Sequence, residues 1–133
     1  MTNLESYASE TFLRNKLDRI YEQFLGKTNC DVLLNIENQL IPAHSCVLAS
    51  ASDKLRDILQ DYMKENCEFD KGEEIHLEHF TVDSFNFLAP FIYRGFIDWN
   101  EIQPEILDDV LNAARHYGLY EVNNSKISYL LIF

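Results

Sequence analysis

The sequence predicts an α+β fold, one small sheet covered by a cluster of helices. Three observations carry this. Apolar residues recur at helical spacing in several separate segments, most cleanly as Leu55, Ile58, Leu59, Tyr62 and Met63. A few short runs alternate instead with period two, as Val32, Leu34 and Ile36 do. These alternating runs are too few and too short to bury one another, so helices must cover them.

Each element follows in order. Residues 1–9 are mostly polar and read as a flexible lead-in. Phe12, Leu13, Leu17, Ile20, Tyr21 and Phe24 then recur at helical spacing, and Gly26 is placed to stop that helix. Cys30 to Glu37 reads as a strand, Asn38-Gln39 as a turn, and Leu40 to Ala43 as a short return strand. Pro42 confines that return to an edge or an end. Ser45 is placed to cap a helix through Val47, Leu48, Ala49 and Ala51, and Ser52 to cap the next one. Residues 64–74 are charged and read as a loop, and Ile75 and Leu77 mark another short strand. Thr81 caps a helix carrying Phe85, Leu88, Ala89 and Ile92, closed by Gly95. Pro90 lies inside it, removes one backbone hydrogen bond and is expected to bend or weaken it. Phe96 to Trp99 reads as extended. Pro104 fits the first turn of a helix with Ile106, Leu107, Val110, Leu111, Ala114 and Tyr117 on its stripe, closed by Gly118. The apolar run 127–133 can pack as helix or strand; it stops abruptly, as at the edge of a longer protein.

The bulk numbers narrow the function classes. A length of 133 residues suits one domain, and 47% hydrophobic residues suffice for a core. The net charge of −11 repels nucleic acid, whose affinity rests on Lys and Arg, and equally an anionic membrane surface. Cys30, Cys46 and Cys67 cannot all pair within one chain, and none lies in a CxxC, which points to a reducing compartment. With no signal peptide and no apolar run of membrane-spanning length, a nuclear or cytoplasmic location is expected. The sequon at Asn123 then carries no weight.

A search for chemistry finds little. His76 and His79 lie in or beside a strand, three apart, hence on opposite faces, which does not suit a shared metal. Glu78-His79 completes no zinc-protease pattern. Ser50 and Ser52 lack a nucleophile elbow, and four scattered glycines make no phosphate loop. No nucleophile–base constellation is visible, so neither catalysis nor a cofactor is expected.

Cys30-Asp31-Val32-Leu33-Leu34, followed by Ile41-Pro42-Ala43-His44-Ser45-Cys46-Val47-Leu48-Ala49-Ser50-Ala51-Ser52, resembles the signature of the BTB/POZ domain family. Phe91-Ile92-Tyr93-Arg94-Gly95 and Asp109 to Leu119 are similar to its later motifs. The resemblance covers about residues 10–122, leaving 123–133 as a tail or final helix. Ser45 stands where Lys is common, Arg94 where Thr is common, and Leu55 where an aromatic is usual.

The resemblance implies a protein–protein interaction module. It gives Asp31 and His44 a structural role, holding buried polar contacts near the hairpin, and makes His44 a satisfied core histidine. It implies that Phe12, Leu13, Leu17, Ile20, Tyr21 and Phe24 pack against a two-fold mate in a homodimer. Met63, Lys64 and Glu65 match the φ-x-E of relatives that recruit cullin-3, as an apolar knob with an orienting carboxylate. The expected function is a homodimerising substrate adaptor for a cullin-3 ubiquitin ligase, with a substrate protein as further partner. The alternative is the dimerising, corepressor-recruiting domain of a transcription or chromatin regulator.

Overall fold

The structure is a computed structural model that describes residues 3–65 and 73–132, with side chains described except at 3–8, 64–65 and 131–132. Helix α1 (Asn3–Leu25) leads into a hairpin of β1 (Val32–Ile36) and β2 (Gln39–Ala43). A helix pair follows, α2 (Ser45–Ala51) and α3 (Asp53–Glu65), then the short strand β3 (Ile75–His76). Helices α4 (Val82–Arg94), α5 (Leu107–His116) and α6 (Tyr120–Ile132) complete the chain. The sheet runs β2-β1-β3, with β2 antiparallel and β3 parallel to β1. The α+β expectation therefore holds.

The central strand behaves as its alternation demands. Val32, Leu34 and Ile36 are buried, while Leu33 and Asn35 between them are half-buried on the other face. Helix α4 crosses the middle of the core on Phe85, Leu88, Ala89, Ile92 and Tyr93. Fully burying one such side chain is worth about 1.5–3 kcal/mol. The β3 end joins through Phe80, which stacks on Tyr117 with centroids 4.4 Å apart.

Several element ends match expectation. Thr81 and Ser84 form a reciprocal capping box at the start of α4. The Ser52 Oγ accepts the Leu55 N–H at 3.1 Å and donates to the Tyr117 carbonyl at 2.6 Å. Gly95 and Gly118 take left-handed φ values of 76° and 71° as helix stops. The ambiguous tail is helical: α6 docks through Trp99 Nε1, which donates to Ser125 Oγ at 2.9 Å, and through buried Val122.

Other ends depart from it. The backbone is helical from Asn3, inside the stretch read as a lead-in. Gly26 is not the left-handed residue after α1; Lys27 is, at φ 57°. The Thr28 and Lys27 N–H groups donate to the Gln23 and Phe24 carbonyls, a Schellman closure one residue later than expected. The hairpin turn is Glu37-Asn38, at φ 54° and 64°, because Ile36 pairs with Gln39 and a two-residue turn of this twist needs both at positive φ. The Glu37 carboxylate is occupied across the fold, accepting the Val82 N–H of α4 at 2.6 Å. Ser45 does not cap α2 but is its first residue. Helix α4 continues through Pro90 to Arg94. Pro104 opens a separate 3-10 turn, Pro104–Ile106, before α5 begins at Leu107.

Candidate functional site

Two surfaces and one buried network hold the residues singled out from the sequence. The network lies under the hairpin. His44 is buried, its Nε2 2.8 Å from the Thr28 carbonyl and its Nδ1 2.8 Å from the Tyr93 hydroxyl. The backbone N–H of His44 donates to the same hydroxyl at 3.1 Å. One assignment satisfies every group: Nε2–H donates to Thr28, Nδ1 accepts the Tyr93 O–H, and the tautomer follows from the network. Burial pushes the Tyr93 phenol well above its ordinary range. Beside it, burial and then the Asp31 charge push the Cys30 thiol up, which disfavours a reactive thiolate.

The buried contact expected of Asp31 is not found: Asp31 is exposed, and it acts as the cap that α2 lacks. Its Oδ1 accepts the Ser45 N–H at 2.7 Å and its Oδ2 accepts the Ser45 hydroxyl at 2.5 Å. A carboxylate from the strand entrance thus satisfies the helix end.

The first surface is a groove of about 430 Å³ between α2 and α3, bounded by Cys46, Ala49, Arg56, Leu59, Gln60 and Met63. Along the α3 stripe, Leu55 and Leu59 are buried and Ile58 and Tyr62 half-buried, but Met63 is 45% exposed. Met63 therefore leaves the core stripe and stands at the groove. Lys64 and Glu65 continue α3, and their side chains lie outside the described residues.

The second surface is the amino-terminal half of α1. Phe24 is buried, and Ile20 and Tyr21 pack against the core. Leu17 is half-buried, whereas Leu13 and Phe12 are 53% and 70% exposed. Phe12 does not share the stripe: at 100° per residue it sits about 120–140° round from Phe24 and Leu17. Arg94, at the end of α4, clamps α1 with Nη1 3.2 Å from Asp18 Oδ1 and its guanidinium 4.5 Å from the Tyr21 ring centre. Its Nε is buried with no partner. Above this clamp a hollow of about 700 Å³ opens between α1 and Phe96, lined by Leu13, Arg14 and Leu17.

Sequence spacing missed one cluster. His79, at φ 71°, stacks on His116 with centroids 3.6 Å apart, and Lys54 Nζ lies 3.4 Å from His116 Nδ1. His76 and His79 are not brought together. Among the described residues no three His, Cys, Asp or Glu side chains are placed to hold a metal, and no helix is long and apolar enough to cross a membrane.

An α+β scaffold presenting an apolar groove and a half-exposed apolar helix has the features of a protein–protein interaction module. Comparison with known proteins gives it a family. The BTB/POZ domain family model matches residues 20–131. BTB/POZ domain-containing protein 9 of Bos taurus is 32% identical over 106 residues, 80% of this chain and 17% of that protein. Kelch-like protein 1 of Mus musculus is 31% identical over 119 residues, 85% of this chain and 15% of that protein. The BTB domain of zebrafish PATZ1 shares the fold at a TM-score of 0.69 and 21% identity, covering 96% of this chain and 95% of that one. The chain belongs to the BTB/POZ domain family, whose domains are interaction modules. It spans less than a fifth of the length of the curated relatives it matches.

Proposed function

We propose that this chain self-associates and docks cullin-3, as the adaptor module of a ubiquitin ligase. The observation that carries the reading is the position of Met63. It belongs to an apolar stripe by spacing, yet lies exposed at an apolar groove, in the place of the φ-x-E motif. A side chain of that kind, free of the core and beside a preformed hollow, is what an anchoring contact requires. Self-association is supported by the open hollow over Leu13, Leu17 and Phe96, since an uncovered apolar face of this kind favours a mate.

Solution mass by light scattering, with and without a purified cullin-3 amino-terminal fragment, tests both parts. The expected result is two chains alone, gaining one fragment per chain. Met63→Ala and Glu65→Ala then abolish the gain while leaving the dimer intact, and Leu13→Asp leaves a folded monomer. A wild-type monomer sinks self-association. A dimer that ignores the fragment at micromolar concentration sinks the adaptor reading and favours the corepressor-recruiting alternative.

A further inference from the structure

The hollow above the Arg94 clamp carries balanced charge on an acidic chain. A net charge of −11 pushes two copies apart, so a face where they meet needs local compensation. The charged side chains lining the hollow, among the described residues, are Glu10, Asp18, Arg14 and Arg94. Asp18 and Arg94 already pair with each other at 3.2 Å. Glu10 and Arg14 are both exposed, and among the described residues neither takes part in an ion pair. They stand at i and i+4 on α1, one turn apart on the same side of the helix. Ser6 and Tyr7, at the positions one turn earlier, add no charge. Leu13 and Leu17 line the hollow beside them, and the exposed Phe96 bounds it from the end of α4.

We infer that a second copy of this chain fills the hollow with its own α1, and that Glu10 pairs with the partner's Arg14 while Arg14 pairs with the partner's Glu10. This rests on the reading of this face as the self-association face and adds what selects the mate. Under two-fold symmetry a contact between two residues is made twice, once in each sense. Two antiparallel copies of α1 that cross midway between Glu10 and Arg14 bring opposite charges together at both contacts. The exposed Leu13 then buries against the partner rather than facing water. A partner of one sign of charge gains little here, since it meets a like charge at one of the two positions whichever sign it has. The reciprocal pair acts more on which chain is accepted than on how tightly it is held, because exposed ion pairs are individually weak.

The test is a charge-swap set on the whole chain, Glu10→Arg, Arg14→Glu and both together, with dimer mass followed by sedimentation equilibrium across concentration. Each single reversal replaces two attractions by two repulsions. It is expected to weaken the dimer at least about tenfold at about 0.05 M salt, with the loss shrinking at about 0.5 M. The double swap restores opposite charges at both contacts and is expected to return the affinity to within about threefold of wild type. An equimolar mixture of the two single variants is expected to form the mixed dimer in preference to either homodimer, read by native mass spectrometry. A pair formed only within one helix gives no such preference. Both sites are exposed, and the mixed dimer itself shows that the single variants are folded. Single variants that dimerise as tightly as wild type, a double swap no tighter than the singles, or a mixture with no preference for the mixed dimer overturns the inference and leaves self-association standing. A wild-type monomer at every concentration overturns both readings and leaves the hollow to a different protein.

Discussion

The imidazole of His44 and the hydroxyl of Tyr93, 49 positions apart, meet at 2.8 Å inside the core and share that contact with the His44 backbone N–H. One phenol thus satisfies two buried groups at the junction of the hairpin and α2. Tyr93→Phe keeps the ring packing and leaves both groups unpaired. The expected loss is about 1–3 kcal/mol of unfolding free energy. Urea denaturation with an unchanged m-value checks it, and an unchanged midpoint would refute the role given to the hydroxyl.

Asp31 caps α2 from outside that helix. Asp31→Ala is expected to cost about 0.5–2 kcal/mol, and Asp31→Asn less, because an amide oxygen can still accept the Ser45 N–H. Thermal unfolding of the two variants separates the hydrogen bond from the charge. Equal stability of wild type and Asp31→Ala would show that water serves the helix end as well.

His116 is held below its ordinary value of 6.5 by burial first, then by His79 and Lys54, with Glu78 opposing. Between the lowered folded value and 6.5 the unfolded chain binds more protons than the folded one. Stability from the neutral His116 imidazole is therefore complete above 6.5 and is lost as pH falls through that value toward the folded one. Melting temperature is expected to drop from about pH 7 to about pH 5, and His116→Phe to flatten part of that slope. Parallel profiles for wild type and variant would exclude this origin.

Pro90 gives no N–H to the Asn86 carbonyl, yet α4 runs on to Arg94. Pro90→Ala is expected to raise stability by about 1–3 kcal/mol, the cost of proline in a helix interior. A lower melting temperature would mean that the pyrrolidine ring packs better than alanine allows.

Much of the fold was legible because the governing interactions span one or two turns. Val32, Leu34 and Ile36 alternate because strand side chains do, and Thr81, Ser52, Gly95 and Gly118 punctuate helices through bonds to neighbours a few residues away. The candidate site was half legible. Motif order pointed to Met63 and to the α1 stripe, but spacing alone also grouped Phe12 with Leu17, although the helix turns it to another side. Ser45 looked like a cap by residue type, while the actual acceptor was Asp31, 14 positions earlier.

The sequence by itself determined the order of helices and strands between Phe12 and Gly118, most of their apolar faces and which family the chain belongs to, since all of these rest on local spacing and ordered motifs. Tertiary structure alone decided the rest. It set Glu37 against the start of α4, 45 positions away, stacked His79 on His116, and left Met63 outside the core at a groove. These contacts depend on how the chain returns to itself, and the spacing of residues along one element does not encode that path.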